Sequence, residues 1–96
     1  MGMTQRMEKP YKQPSDIPYQ KGHRLNYTII KKDETNSYNC SVEDIVWDEW
    51  QGVWLLTLKK DIDGFLLSIH VDSKGKPCLQ TESVTRVLRD LNESNF

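Results

Sequence analysis

The sequence predicts an α+β fold: an antiparallel meander of about four strands packed against one C-terminal helix, with a flexible N-terminal arm. Three observations favour this class. Residues 1–23 are rich in proline, residues 25–71 contain runs of alternating apolar and polar residues, and residues 84–91 carry apolar residues at helical spacing. A chain of 96 residues allows one domain, so we expect a disordered basic arm at residues 1–23 and a single small domain at residues 24–96.

The arm is predicted from its composition. Its prolines recur every four residues, at Pro10, Pro14 and Pro18. Proline at this density excludes a stable helix and favours extended, polyproline-like segments. Tyr11 and Tyr19 each follow one of these prolines, in two short quasi-repeats. Where the arm docks on the domain, we expect Ile17 and Tyr19 to make the contact.

Four segments show the two-residue period of β-strands. They are residues 25–30, 38–47, 53–60 and 65–71. The third segment is apolar on both faces, which indicates a central strand. The fourth has one apolar face that we expect to be buried, formed by Phe65, Leu67, Ile69 and Val71. Polar turn residues separate the segments, as a meander requires.

Residues 41–52 allow two interpretations. Ser41 and Asp44 could cap a short helix whose apolar face ends at Trp50. Alternatively, a strand continues to Trp47 and returns through a loop with a late glycine, which suits a β-hairpin. We favour the hairpin, because the strand that follows needs a pairing partner. The hairpin would expose Trp50 at its tip, whereas the helix would bury it.

The C-terminal helix is predicted from a stripe of apolar residues at positions i, i+3, i+4 and i+7. The stripe consists of Val84, Val87, Leu88 and Leu91. Thr81 or Ser83 can cap the start of this helix. Such a stripe needs an apolar surface to pack on, and the sheet would supply it.

No motif in the sequence indicates catalysis, a phosphate-binding loop or a metal site, so we expect neither an enzyme nor a cofactor. Metal sites usually bring their ligands in close pairs. The histidines and cysteines of this chain are instead far apart: His23, Cys40, His70 and Cys78. The N-terminus lacks an apolar signal core, and no apolar run approaches the ~20 residues of a membrane helix. We therefore expect a cytoplasmic protein with reduced thiols and no membrane partner, and leave cysteine pairing and oligomeric state open.

Charge is distributed unevenly along the chain, although the net charge is only −1. Residues 1–32 hold seven basic and two acidic side chains, a balance of +5. Residues 33–50 hold six acidic side chains and no basic ones, a balance of −6. This asymmetry and the tryptophan in the acidic segment favour a small non-catalytic binding module for protein–protein interaction or regulation. Its candidate contact residues are Asp48, Glu49 and Trp50.

Nucleic-acid binding, to a single strand or through the sheet, is the alternative function. It is motivated by basic side chains that alternate with Tyr11 and Tyr19 in the arm, since cations and aromatic rings together hold single strands. The candidate contacts are Arg6, Lys9, Lys12, Lys21, Arg24, Lys31 and Lys32.

Overall fold

The computed structural model describes residues 9–79 and 83–91, and within these ranges every regular element is a strand. The strands are β1 (Arg24–Ile30), β2 (Thr35–Asp48), β3 (Val53–Lys60), β4 (Leu66–Val71), β5 (Pro77–Cys78) and β6 (Thr85–Asp90). They form one antiparallel sheet in the order β5-β4-β3-β2-β1-β6. The two end strands, β5 and β6, come into contact without forming a ladder, so the sheet curls into a nearly closed barrel.

The predicted α+β class, with four strands and a C-terminal helix, is therefore wrong. The stripe of Val84, Val87, Leu88 and Leu91 belongs to β6 and the residues beside it. β6 pairs with β1 from Leu25↔Asp90 to Ile30↔Thr85. Without β6, the edge of β1 that faces away from β2 would carry unpaired backbone N–H and C=O groups. The hydrogen bonds that β6 makes to these groups outweigh the weak tendency of so short a segment to form a helix. In the strand, Leu88 packs against the core, while Leu91 is 37% exposed.

β2 is bent by a β-bulge, and the bulge explains its sequence pattern. The register with β3 shifts between Val42 and Asp44, so Glu43 is the additional residue. Inward-facing apolar residues stand at even positions before the bulge and at odd positions after it. They are Tyr38, Cys40, Val42, Ile45 and Trp47. The bulge thus keeps one face of a 14-residue strand directed at the core along its whole length.

The core fills the barrel with side chains from β1 to β4. Its buried members are Leu25, Tyr27, Cys40, Val42, Trp54, Leu56, Leu58, Ile69 and Val71. Trp47 and Trp54 meet edge to face across the β2–β3 hairpin, with ring centroids 5.1 Å apart, a favoured aromatic geometry. Cys40 is buried in the core, and burial raises the pKa of its thiol. Cys40 and Cys78 are both free thiols.

Of the two interpretations of residues 41–52, the structure has the hairpin. β2 ends at Asp48, β3 begins at Val53, and Gly52 has a positive φ of 70°. The apolar face expected for residues 65–71 is buried only in part. Phe65 precedes β4 and is 69% exposed, whereas Ile69 and Val71 lie in the core.

The described residues before β1, 9–23, lie extended across one end of the barrel, and we call them the strap. Gly22 donates its backbone N–H to the Val42 carbonyl, and Val42 in turn donates to the carbonyl of His23. The His23 ring bonds Asp90 at 2.8 Å, which joins the strap to β6. Ile17 is 48% exposed, whereas Tyr19 packs against the core cluster. The division into an arm and a domain stays a prediction, as does the disorder of the arm.

Both tyrosines of the strap rest on a turn glycine with positive φ. A Cβ on Gly52, in the β2–β3 turn, would lie 2.8 Å from the ring of Tyr11. A Cβ on Gly75, in the β4–β5 turn, would lie 2.7 Å from the Tyr19 hydroxyl oxygen, which donates to the Gly75 carbonyl at 2.9 Å. The absence of a side chain on these glycines therefore allows the strap to approach the turns closely.

Gly75→Ala is expected to destabilise the fold more than Gly22→Ala, by about 1 kcal/mol or more. Both glycines have positive φ, 83° and 88°, so both substitutions strain the backbone by about 1–2 kcal/mol. Nothing lies within 4 Å of a Cβ on Gly22, whereas a Cβ on Gly75 displaces Tyr19 and its hydrogen bond, a loss of about 1 kcal/mol. Urea unfolding measures both free energies.

A Tyr19→Ala background supplies the control for this comparison. Without the ring, the difference between the two alanine variants should disappear, because only backbone strain remains. An equal loss of stability for Gly75→Ala with and without Tyr19 would show that the close contact contributes nothing.

Candidate functional site

The β2–β3 turn holds the candidate contact residues and is fixed by hydrogen bonds to Asp48. Its Oδ1 accepts the backbone N–H groups of Trp50 and Gln51, both at 3.1 Å, and its Oδ2 accepts the Gln51 side-chain amide at 2.9 Å. The Gly52 N–H donates to the Asp48 carbonyl at 2.8 Å. An aspartate that bonds the backbone two and three residues later is a standard way to order a tight turn.

The strap contributes a second aromatic side chain to this turn. Tyr11 donates its backbone N–H to the Glu49 carbonyl at 2.7 Å, and its own carbonyl accepts the indole N–H of Trp47 at 2.9 Å. The Tyr11 ring lies over Gly52 and is 61% exposed, while Trp50 is 63% exposed. We call Tyr11, Glu49 and Trp50 the aromatic surface.

Asp48 is charged at neutral pH, and its carboxylate bonds groups within the turn instead of projecting into solvent. The bond from the Gln51 side chain, followed by the Gln51 and Trp50 backbone N–H groups, lowers the pKa of the Asp48 carboxyl. His70 on β4 lies 4.0 Å from the same carboxylate and adds to this effect when it is protonated. The Asp48 side chain is only 27% exposed, which leaves little of it for a partner.

The structure thus separates the three predicted contact residues by role. Glu49 and Trp50 project from the turn into solvent, and Asp48 holds them in place. Tyr11 was not predicted to belong to the site, because it lies 39 positions before Trp50 in the chain. Its position after a proline, which is shared with Tyr19, was the signal that could have found it.

The predicted nucleic-acid contacts do not form one basic patch among the described residues. Arg6 lies outside them. The Arg24 guanidinium bonds the Asp61 carboxylate with both terminal nitrogens, and Lys21 lies 3.7 Å from Asp44. The remaining side chains are exposed in two separate places, with Lys9 and Lys12 in the strap and Lys31 and Lys32 in the β1–β2 turn.

A second exposed apolar region occupies the β3–β4 turn, at the opposite end of β3. Ile62 is 81% exposed, Phe65 69% and Leu66 59%. Lys60 lies between two rings there, 4.8 Å from the centroid of Tyr38 and 5.9 Å from that of Phe65. A shallow groove of about 340 Å³ runs beside it, lined by Ser37, Tyr38, Asn39, Asp61 and Ile62. The sequence indicated only turn chemistry at this position.

Asp48→Ala is expected to lower the Tm at neutral pH and to flatten its acid dependence. A lowered carboxyl pKa contributes stability above the ordinary value of 3.8, and that contribution is lost as pH falls through the lowered pKa. The variant should therefore lose less Tm than the native chain between about pH 6 and pH 3. Circular dichroism melts at both values measure this. Asp33→Ala, an exposed carboxylate in another turn, is the control, and an identical acid response in both variants would contradict the assignment.

Neither the described part of the chain nor comparison with other proteins gives this surface a known role. In the ranges 9–79 and 83–91, no group of three or more histidine, cysteine or acidic side chains could hold a metal ion. Nor do these ranges contain a helix that is long and apolar enough to cross a membrane. Comparison with known protein families, curated proteins and solved structures finds no match for the chain.

Proposed function

We propose that this chain is a small non-catalytic binding module that contacts another protein through the aromatic surface. One observation carries the proposal: two largely exposed rings, Tyr11 and Trp50, stand on a turn that hydrogen bonds from two parts of the chain hold in place. Tryptophan and tyrosine are the residue types that most often dominate the energy of protein interfaces.

The rigidity of the turn supports this proposal. A contact residue on a mobile loop loses conformational entropy when it binds, which weakens the complex. Here the Asp48 carboxylate orders the backbone at Trp50 and Gln51, and the Tyr11 N–H ties the strap to the Glu49 carbonyl. The backbone that carries both rings is therefore ordered before binding, and less entropy remains to be lost.

The charges around the rings indicate the chemistry of the partner's surface. Glu49 is exposed inside the aromatic surface, and Glu43 and Asp44 are exposed further along β2. A suitable partner has an apolar pocket for Trp50, with a basic side chain facing Glu49 and acidic side chains facing Lys9 and Lys12, which are exposed on either side of Tyr11. Such charge complementarity at the rim speeds encounter and sets orientation.

Nucleic-acid binding remains the second proposal, on one specific observation. Lys9 and Lys12 are exposed on either side of Tyr11, so two cations and an exposed ring share one extended segment. Single-stranded nucleic acid would stack its bases on Tyr11 and Trp50 and place its phosphates near the lysines. Anisotropy titrations with single-stranded DNA and RNA at two salt concentrations test this. Affinity that is insensitive to salt or to Lys12→Glu excludes it.

Trp50→Ala is expected to reduce recovery of the protein partner from cell extract by roughly tenfold or more, which is the size of a hot-spot effect. Tyr11→Ala should reduce recovery of the same protein. Quantitative mass spectrometry of material captured on the immobilised full chain measures the ratio to the native chain.

Ile62→Ala is the matched control, because it removes a side chain that is 81% exposed at the opposite end of β3. A protein that is lost with Trp50→Ala and Tyr11→Ala but retained with Ile62→Ala is bound through the aromatic surface. If every captured protein survives Trp50→Ala, or is lost equally with Ile62→Ala, the proposed surface is wrong.

A further inference from the structure

The first half of β4 has an outer edge that lacks a strand partner within the described residues. β4 pairs with β3 along its length, from Lys59↔Leu66 to Trp54↔Val71. On its other side, the two-residue β5 pairs only with His70 and Val71. β6 lies beyond β5 around the barrel, and within the residues that the structure describes it makes no contact with β4. Among residues 9–79 and 83–91, nothing pairs with residues 66–69 of β4 on this side, and they present an open edge.

The hydrogen-bond register shows which backbone groups point outward at this edge. Lys60 donates its N–H to the Phe65 carbonyl, so Phe65 and then every second residue face β3. The backbone groups of Leu66 and Ser68 must point away from β3. Consistent with this alternation, Asp72 bonds outward to Lys76 in the β4–β5 turn. Two N–H and two C=O groups are thus directed at the open edge.

The four outward-directed groups of one β4 edge can form hydrogen bonds with the same four groups of a second copy. When two β4 edges lie antiparallel about a two-fold axis at Leu67, Leu66 of each copy faces Ser68 of the other. Both residues have outward-directed groups, so the pairing forms two closely spaced pairs of hydrogen bonds and satisfies all four groups on each edge. A second copy of the same edge fits without a shift of register.

The side chains at the edge lack the features that normally prevent such pairing. Exposed edges are usually protected by charged residues, proline or a bulge. Residues 65–69 read Phe-Leu-Leu-Ser-Ile and contain neither charge nor proline. Phe65 and Leu66 are 69% and 59% exposed, and Ile62 in the adjoining turn is 81% exposed. In this register, Leu66 of one copy lies diagonal to Leu66 of the other, and Phe65 of each copy faces Ile69 of the other, so apolar side chains meet across the paired edges.

We propose that two copies of this chain associate through their β4 edges, in antiparallel register about Leu67, to form one continuous sheet. The edge is short, so the buried area lies at the low end for specific interfaces and the dissociation constant is expected to be micromolar, roughly 1–100 μM. This surface is separate from the aromatic surface, because the eight residues of β3 place the two turns roughly 25 Å apart at about 3.3 Å per residue.

Leu66→Glu tests the proposal in the full chain. It places a charge at the interface while Lys59, directly across in β3, accommodates that charge in the monomer. Sedimentation velocity between about 1 and 500 μM, a range set by the expected affinity, should show a monomer–dimer equilibrium for the native chain. The variant should raise the dissociation constant at least about tenfold, since each copy loses an apolar contact. Ile30→Glu is the control, because it changes an exposed apolar residue on β1 beside two lysines and should leave the equilibrium unchanged.

Amide hydrogen exchange locates the contact and remains informative if a variant fails to fold. In the native chain, the Leu66 and Ser68 amides should exchange more slowly as concentration rises. The Leu67 amide, which already faces β3, should not respond. A native chain that stays monomeric throughout the range overturns the proposal. An equal effect of both glutamate variants, or exchange at Leu66 and Ser68 that is independent of concentration, also overturns it.

Discussion

The fourteen residues of β2 form ladders with two strands at once, and the other strands are arranged around that double pairing. The first half pairs with β1 and the second half with β3, and the bulge at Glu43 lets the strand bend between them. Without the bulge, the apolar residues of one half would point away from the core, because successive side chains of a strand alternate between its faces. The bend also directs both neighbouring hairpins around the same interior, so that β1 reaches β6 and β3 reaches β4.

The barrel also depends on the strap, which connects turns that are distant in sequence. Tyr11 rests on the β2–β3 turn and Tyr19 on the β4–β5 turn, and His23 bonds Asp90 at the end of β6. A small domain buries a modest fraction of its surface, so contacts of this kind form a sizeable part of its stability. The strap thus orders the turn that carries Trp50 and covers one end of the core at the same time.

The two exposed apolar regions differ in how they could be used. At the β2–β3 turn, the N–H groups of Trp50, Gln51 and Gly52 are bonded within the chain and exposed side chains are offered, which suits a pocket on a partner. At β4, the backbone itself is offered, which suits an extended strand. Since β3 separates the two regions, one copy of the chain could use both at once.

The sequence by itself determined the segments of β1 to β4, and it favoured the hairpin that presents Trp50 while leaving a short helix as the alternative. Alternation along residues 25–30, 38–47, 53–60 and 65–71 is a local signal, and the late Gly52 marks the turn. The exposure of Trp50 followed once the hairpin was chosen over the helix.

Only the tertiary structure decided β5, β6 and the composition of the site. The stripe that ends at Leu91 fits a helix by its spacing, but the open edge of β1 made the strand more favourable, and no local pattern encodes that edge. Tyr11 joins Trp50 because the strap crosses the end of the barrel, which depends on contacts between distant residues. Within the described residues, the edge of β4 likewise stays open because β5 pairs only with His70 and Val71.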